Sequence, residues 1–168
     1  MNEKFYPMKL FRLNLSFISE ATAALLIFLF LYTSLSKLLE LPFFMHQLHW
    51  FPLLNHFSTA IAWIVPIIEL TTAILLLSSK RLLGFYLSFI LLIVFTAYLL
   101  YMVLAIRENL PCSCGGVLEE LSWQQHIVFN IAFILLSLLG MWSEKFRHDI
   151  GKENISSDKD FMRIKQEN

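Results

Sequence analysis

Four stretches of this chain run about the length of a bilayer crossing with almost no charge, separated by short polar or Pro-broken segments. They cover residues 15–36, 57–79, 82–106 and a shorter fourth at 127–142. Leu121-Ser122-Trp123 and the polar pair Gln124-Gln125 extend the fourth to about 123–142. A transmembrane helix needs about 20 mostly apolar residues, so each stretch is predicted to span. The first has Glu20 near its start, the second has Glu69 at its centre, and the third has no charge. Lys4, Lys9 and Arg12 ahead of the first stretch resemble the start of a signal peptide. Its apolar stretch exceeds the roughly 7–15 residues of a signal core and no Ala-x-Ala site follows, so it reads as a retained span.

Composition agrees with the pattern. The chain is 57% hydrophobic and 15% charged, against roughly 45–50% and 25% for soluble domains, and its mean hydropathy is +0.63. The predicted fold is all-α: an integral membrane four-helix bundle over residues 1–143, followed by a polar tail at 144–168 that is solvated and partly helical or disordered. The Lys80-Arg81 connection is too short for anything but an antiparallel pair of spans. Eleven of the thirteen Lys and Arg lie in the N-terminal arm, that connection and the tail. By the positive-inside rule both termini are expected in the cytoplasm of a multi-pass inner-membrane protein. The first and third loops then face the periplasm or its equivalent. Leu41 to Phe57 is aromatic, histidine-rich and interrupted by Pro42 and Pro52. It reads as an amphipathic helix on the outer interface or tucked over the bundle mouth. Tyr32, Trp50, Trp63, Trp123 and Trp142 fit an aromatic belt.

The candidate chemistry starts with the two cysteines, Cys112 and Cys114, in Pro111-Cys112-Ser113-Cys114-Gly115-Gly116 of the third loop. Two thiols one residue apart can close a small disulfide ring, and strained or exposed disulfides are the exchangeable ones. On the outer side such a bond can form and persist. A fixed disulfide, two inert thiols, or half of a soft-metal site are the other readings. With only one pair, the chain has no internal relay between two dithiols.

Glu69 is the second feature. A mid-span carboxylate is costly, about 2.5–3.5 kcal/mol on insertion scales for such residues, and normally faces the bundle interior with a partner. Pro66 lies one turn earlier and frees a backbone carbonyl. Lys37 is the one basic side chain in reach; Thr71, Thr72, Ser88 and Tyr98 are the alternatives for a protonated Glu69. A structural polar clamp explains Glu69 as well as proton or quinone handling does. His126 opens the fourth span with Asn130 four residues on, on the same face. Twelve residues past Cys114, it is placed to lower a thiol pKa, although interfacial histidines are more often simple amphipathic residues. Glu119 and Glu120 read as a solvated or helix-start pair. No phosphate loop, Ser-His-Asp pattern, metalloprotease motif or basic patch for nucleic acid occurs, and net charge is zero.

Tyr32-Thr33-Ser34-Leu35-Ser36-Lys37-Leu38, Pro66-Ile67-Ile68-Glu69-Leu70, the Cys112/Cys114 turn and His126-Ile127-Val128-Phe129-Asn130 together resemble the MauE/DoxX group of redox-associated membrane proteins, over roughly residues 13 to 142. The resemblance implies a four-helix membrane bundle tied to periplasmic disulfide chemistry. MauE is associated with maturing a disulfide-rich methylamine dehydrogenase subunit alongside a thioredoxin-like partner, and DoxX-like relatives include subunits linked to quinone reduction. Nothing in this chain points to methylamine itself.

The expectation is therefore a bilayer-embedded protein whose Cys112/Cys114 pair exchanges electrons with a thioredoxin-like periplasmic protein. His126 would tune the thiols, and Lys37, Glu69 and Asn130 would hold the bundle or a quinone. The rivals are a soft-metal binder using the cysteines with His46, His49, His56 or His126, and a scaffold whose disulfide is permanent.

Overall fold

A computed structural model describes residues 5–50, 55–105 and 123–166. The described residues form five helices and one short 3₁₀ turn: α1 (Phe5–Leu39), α2 (Leu41–Trp50), the turn Asn55–Phe57, α3 (Ser58–Leu77), α4 (Arg81–Ala105) and α5 (Trp123–Gln166). Four of them are long and apolar enough to cross a membrane, at Leu15–Leu39, Ser58–Leu77, Arg81–Tyr101 and Gln124–Ile150. These match the four stretches read from the sequence. The protein is a multi-pass membrane protein built as a four-helix bundle.

The helix ends have local causes. Pro42 has no N–H and its ring crowds the carbonyl four residues back, so the α1 ladder breaks and α2 departs at a corner. Glu40 N still donates to Ser36 O (3.1 Å) and Phe44 N to Glu40 O (2.9 Å), which keeps that corner tight. The α3–α4 turn is capped from both sides. Ser78 N and Oγ donate back to Leu75 O (3.2 and 2.9 Å), and Arg81 Nε donates to Leu76 O (3.2 Å), which satisfies carbonyls that α3 leaves open at its end. A buried Gly84 permits the sharp return, because a Cβ there would come within 2.8 Å of Leu76 N.

α1 packs on α3 and α5, and α4 packs on the same two, so neighbours around the bundle alternate in direction. One end carries the α1–α2 corner, the end of α4 and the start of α5; it is called the corner end below. The other carries the start of α1, the α3–α4 turn and the continuation of α5, and is called the turn end. Between them sits a dry centre of Ala23, Leu26, Phe30, Leu76, Phe85 and Leu92, all buried. Phe28, Ile67, Ile74, Val94, Val128 and Leu135 point outward, as lipid contact requires when no water drives the apolar side chains inward.

At about 1.5 Å per residue, α1 (35 residues) and α5 (44 residues) exceed a roughly 30 Å hydrocarbon core. Their surplus lies at the turn end. The tail expected to start at 144 is thus one continuous helix with the fourth span. Its first residues belong to the bundle: Ser19 Oγ donates to Glu144 Oε2 (2.7 Å), and Arg147 Nη2 holds Glu144 Oε1 (2.7 Å). Ser143, immediately before it, is fully buried. Ser19→Ala is expected to cost about 1 kcal/mol, between the average for membrane interhelical hydrogen bonds and the value for a charged acceptor. Equilibrium unfolding of the solubilised protein measures it, and an unchanged midpoint would show that the contact contributes nothing to folding.

The segment that follows the first span packs against the bundle at the corner end. α2 turns Phe44 and Leu48 onto Ala62 of α3, with Leu41, Met45, Ile61 and Tyr98 around them. Its His46 and His49 share the opposite, exposed face.

Candidate functional site: a buried ion pair beneath the corner end

Lys37 stands in the last turn of α1, where a cation meets the negative end of the helix dipole. Side chains on a helix lean towards its N-terminus, and Lys37 follows that rule into the bundle rather than out to the interface. It lies back along its own helix, with Nζ 3.4 Å from Thr33 O, and reaches Glu69 Oε1 of α3 at 2.8 Å. The two side chains are 7% and 2% exposed. Phe95 of α4 covers the ammonium, its ring centroid 5.8 Å from Nζ, within the range where a ring face attracts a cation.

The pairing is set by the α1–α3 register. Ser34 Oγ donates to Pro66 O (3.1 Å), which places Thr33 and Ser34 level with the Pro66–Glu69 turn. Thr33 Oγ1 lies beside the Glu69 carboxylate but donates to Phe30 O (3.4 Å). Three of the other candidate partners of Glu69 donate to carbonyls of their own helices. Thr71, Thr72 and Ser88 each donate to the carbonyl four residues back on their own helix (Ile67, Ile68 and Gly84) at 2.7 to 2.8 Å. Such back-bonding is how hydroxyls are satisfied inside helices. Lys37 is therefore the partner of Glu69.

α5 supplies the third side. The Ser19–Glu144 contact at the turn end sets an antiparallel register that runs His126 and Asn130 alongside Phe30–Lys37 of α1. His126 and Asn130 are 3% and 6% exposed, and His126 is near enough to Lys37 for the two to interact electrostatically. Lys37, Glu69, His126 and Asn130 are therefore all buried towards one end of the bundle. Two buried atoms of this group have no hydrogen-bond partner among the described residues: Glu69 Oε2 and His126 Nδ1.

Cys112 and Cys114 lie in residues 106–122, outside the described residues, as do Glu119 and Glu120. That segment joins Ala105 of α4 to Trp123 of α5, both at the corner end, and His126 is in the first turn of α5. Among the described residues no three His, Cys, Asp or Glu side chains converge as a metal site. His56 is exposed and lies edge-on to Phe57, with ring centroids 6.5 Å apart.

Sequence reasoning paired Lys37 with Glu69 and His126 with Asn130, but missed Phe95 and the Ser34–Pro66 rung. Phe95 gave no signal, being one of sixteen phenylalanines in an apolar run. Ser34 was legible only as a small polar residue one turn before Lys37.

Chemically, the cluster is a neutralised charge pair with one spare carboxylate oxygen and one spare imidazole nitrogen, walled by apolar side chains. The carboxylate oxygen can accept a hydrogen bond, and the imidazole nitrogen can accept or donate one according to its tautomer.

The family described as methylamine utilisation protein MauE matches residues 15–143, more than half of the chain and all four spans but for the last turns of α5. No curated protein and no solved structure matches it.

Proposed function

The chain belongs to the MauE family of membrane proteins, and from that premise we propose that it is a redox-associated bundle whose Cys112/Cys114 pair exchanges disulfides with a thioredoxin-like protein on the outer side of the inner membrane. In this exchange one thiolate attacks the partner's disulfide to give a mixed disulfide. The second thiol then displaces the partner, leaving the partner as a dithiol and Cys112–Cys114 as a disulfide. Two electrons and two protons pass to the partner, and the reverse sequence returns them. The proposal places both termini in the cytoplasm, from the eleven basic residues gathered at that side, which puts the corner end outside.

One observation carries the reading: His126 is buried in the first turn of α5, just after the segment that bears the only two thiols, and near enough to Lys37 to feel its charge. Thiolates form where a nearby cation or donor favours them, and a rigid bundle end is a better platform for that than a free loop.

The test is the reduction potential of the Cys112/Cys114 pair, read by thiol trapping across a redox series on the purified protein with metals chelated. The expected value lies among exchange catalysts, roughly −120 to −270 mV. A value below about −300 mV marks a permanent bridge and ends the proposal. Thiols that pair only after metal is removed would move the function to soft-metal binding.

A further inference from the structure

Polar side chains gather towards both ends of this bundle, with a mainly apolar layer between them. At the turn end Ser19, Ser143 and Glu144 meet, and Glu144 is held by Arg147. Towards the corner end lie Lys37, Glu69, His126 and Asn130. Leu26, Phe30, Phe85 and Leu92, each 3% exposed or less, fill the space between. The hydroxyls near that layer do not bridge it, because Ser88, Ser137 and Thr22 all donate to carbonyls of their own helices.

The two groups also differ in how fully they are satisfied. Glu144 has a partner on each oxygen. Glu69 has Lys37 on one oxygen only, and neither Glu69 Oε2 nor His126 Nδ1 has a partner among the described residues, although both side chains are nine-tenths or more buried. Buried polar atoms without a protein partner are where internal water binds, making two to four hydrogen bonds per molecule. A water gives a carboxylate oxygen the donor it lacks and offers an imidazole nitrogen either a donor or an acceptor. Lys37 is already committed to Glu69, Thr33 O and the Phe95 ring, so it does not meet this need.

We propose that Glu69 Oε2 and His126 Nδ1 form a hydration site inside the membrane-spanning bundle, filled by water from the corner end and closed towards the turn end by Leu26, Phe30, Phe85 and Leu92. The site gives Glu69 and His126 proton exchange with one side of the membrane only. The site stands independently of whether Cys112 and Cys114 exchange electrons.

Water-edited solid-state NMR of the full-length protein in lipid bilayers, with labelled His, Glu, Phe and Leu, tests it. Magnetisation is expected to pass quickly from water to the His126 ring and the Glu69 carboxyl, while Phe30, Phe85, Leu26 and Leu92 stay dry. Glu69→Gln keeps a polar acceptor and should keep the water signal at His126, whereas Glu69→Leu should lose it. A His126 ring as dry as Phe85 in the unaltered protein would overturn the proposal without any variant. So would transfer to His126 and Glu69 from lipid or from a co-purified quinol rather than from water, or an equally wet Phe30 and Phe85.

Discussion

Lys37→Met is expected to destabilise the bundle by about 3–5 kcal/mol, the usual cost of stranding one member of a buried ion pair. Lys37 Nζ bonds Glu69 at 2.8 Å, and the carboxylate is almost wholly buried. Without the ammonium, Glu69 must either keep an uncompensated charge in a medium of low dielectric or take up a proton. Adding Glu69→Leu to Lys37→Met removes the stranded carboxylate and should restore most of the loss, because apolar replacements of both partners are often neutral or better. Unfolding of the three variants in mild detergent measures this. A single variant within about 1 kcal/mol of the unaltered protein, the scale of an exposed pair, would mean that the pair is solvated and the inward reach of Lys37 is wrong. If the double variant folds and still supports disulfide exchange, the pair serves the bundle alone. If it folds and exchange is lost, the pair also serves the thiols.

The second large effect is expected at Gly140. α4 and α5 approach so closely there that a Cβ on residue 140 would overlap the Phe85 ring. Small residues at such crossings are what allow membrane helices to pack. The Phe85 ring is itself fully buried in the apolar centre, so moving it aside disturbs the packing around it. Gly140→Ala should therefore cost about 1–3 kcal/mol from overpacking, although alanine is the better helix former by up to about 1 kcal/mol. Phe85→Leu shortens the opposing side chain and should reduce that penalty. A double-mutant cycle on unfolding free energy reads the coupling, expected between about 0.5 and 3 kcal/mol for residues in contact. Additive effects would show that the two helices do not meet through this pair.

The cluster at the corner end differs from Gly140 in how visible it was. Glu69 and Lys37 announced themselves as rare charges in or beside apolar runs, and a mid-membrane carboxylate has to find a partner. Chemistry alone therefore narrowed the partner to a few side chains. Choosing Lys37 over Thr72 or Ser88 required knowing that those hydroxyls are spent on carbonyls of their own helices. His126 and Asn130 were legible as one helix face, but their burial beside α1 was not.

What the sequence by itself determined was everything that depends on local composition. Span number, approximate span ends, the break at Pro42 and the tight turn at Lys80-Arg81 follow from hydropathy and backbone sterics over a few residues. Tertiary structure decided what depends on register between helices far apart in the chain. Lys37 meets Glu69 across 32 residues and Ser19 meets Glu144 across 125, and a shift of one turn would separate both pairs. It also decided that the polar tail continues the fourth span as one helix, with Glu144 half-buried at the turn end and bonded to Ser19. Glu144 looked like the first residue of a charged tail because charge is read locally. Its partner is a serine 125 residues earlier in the chain.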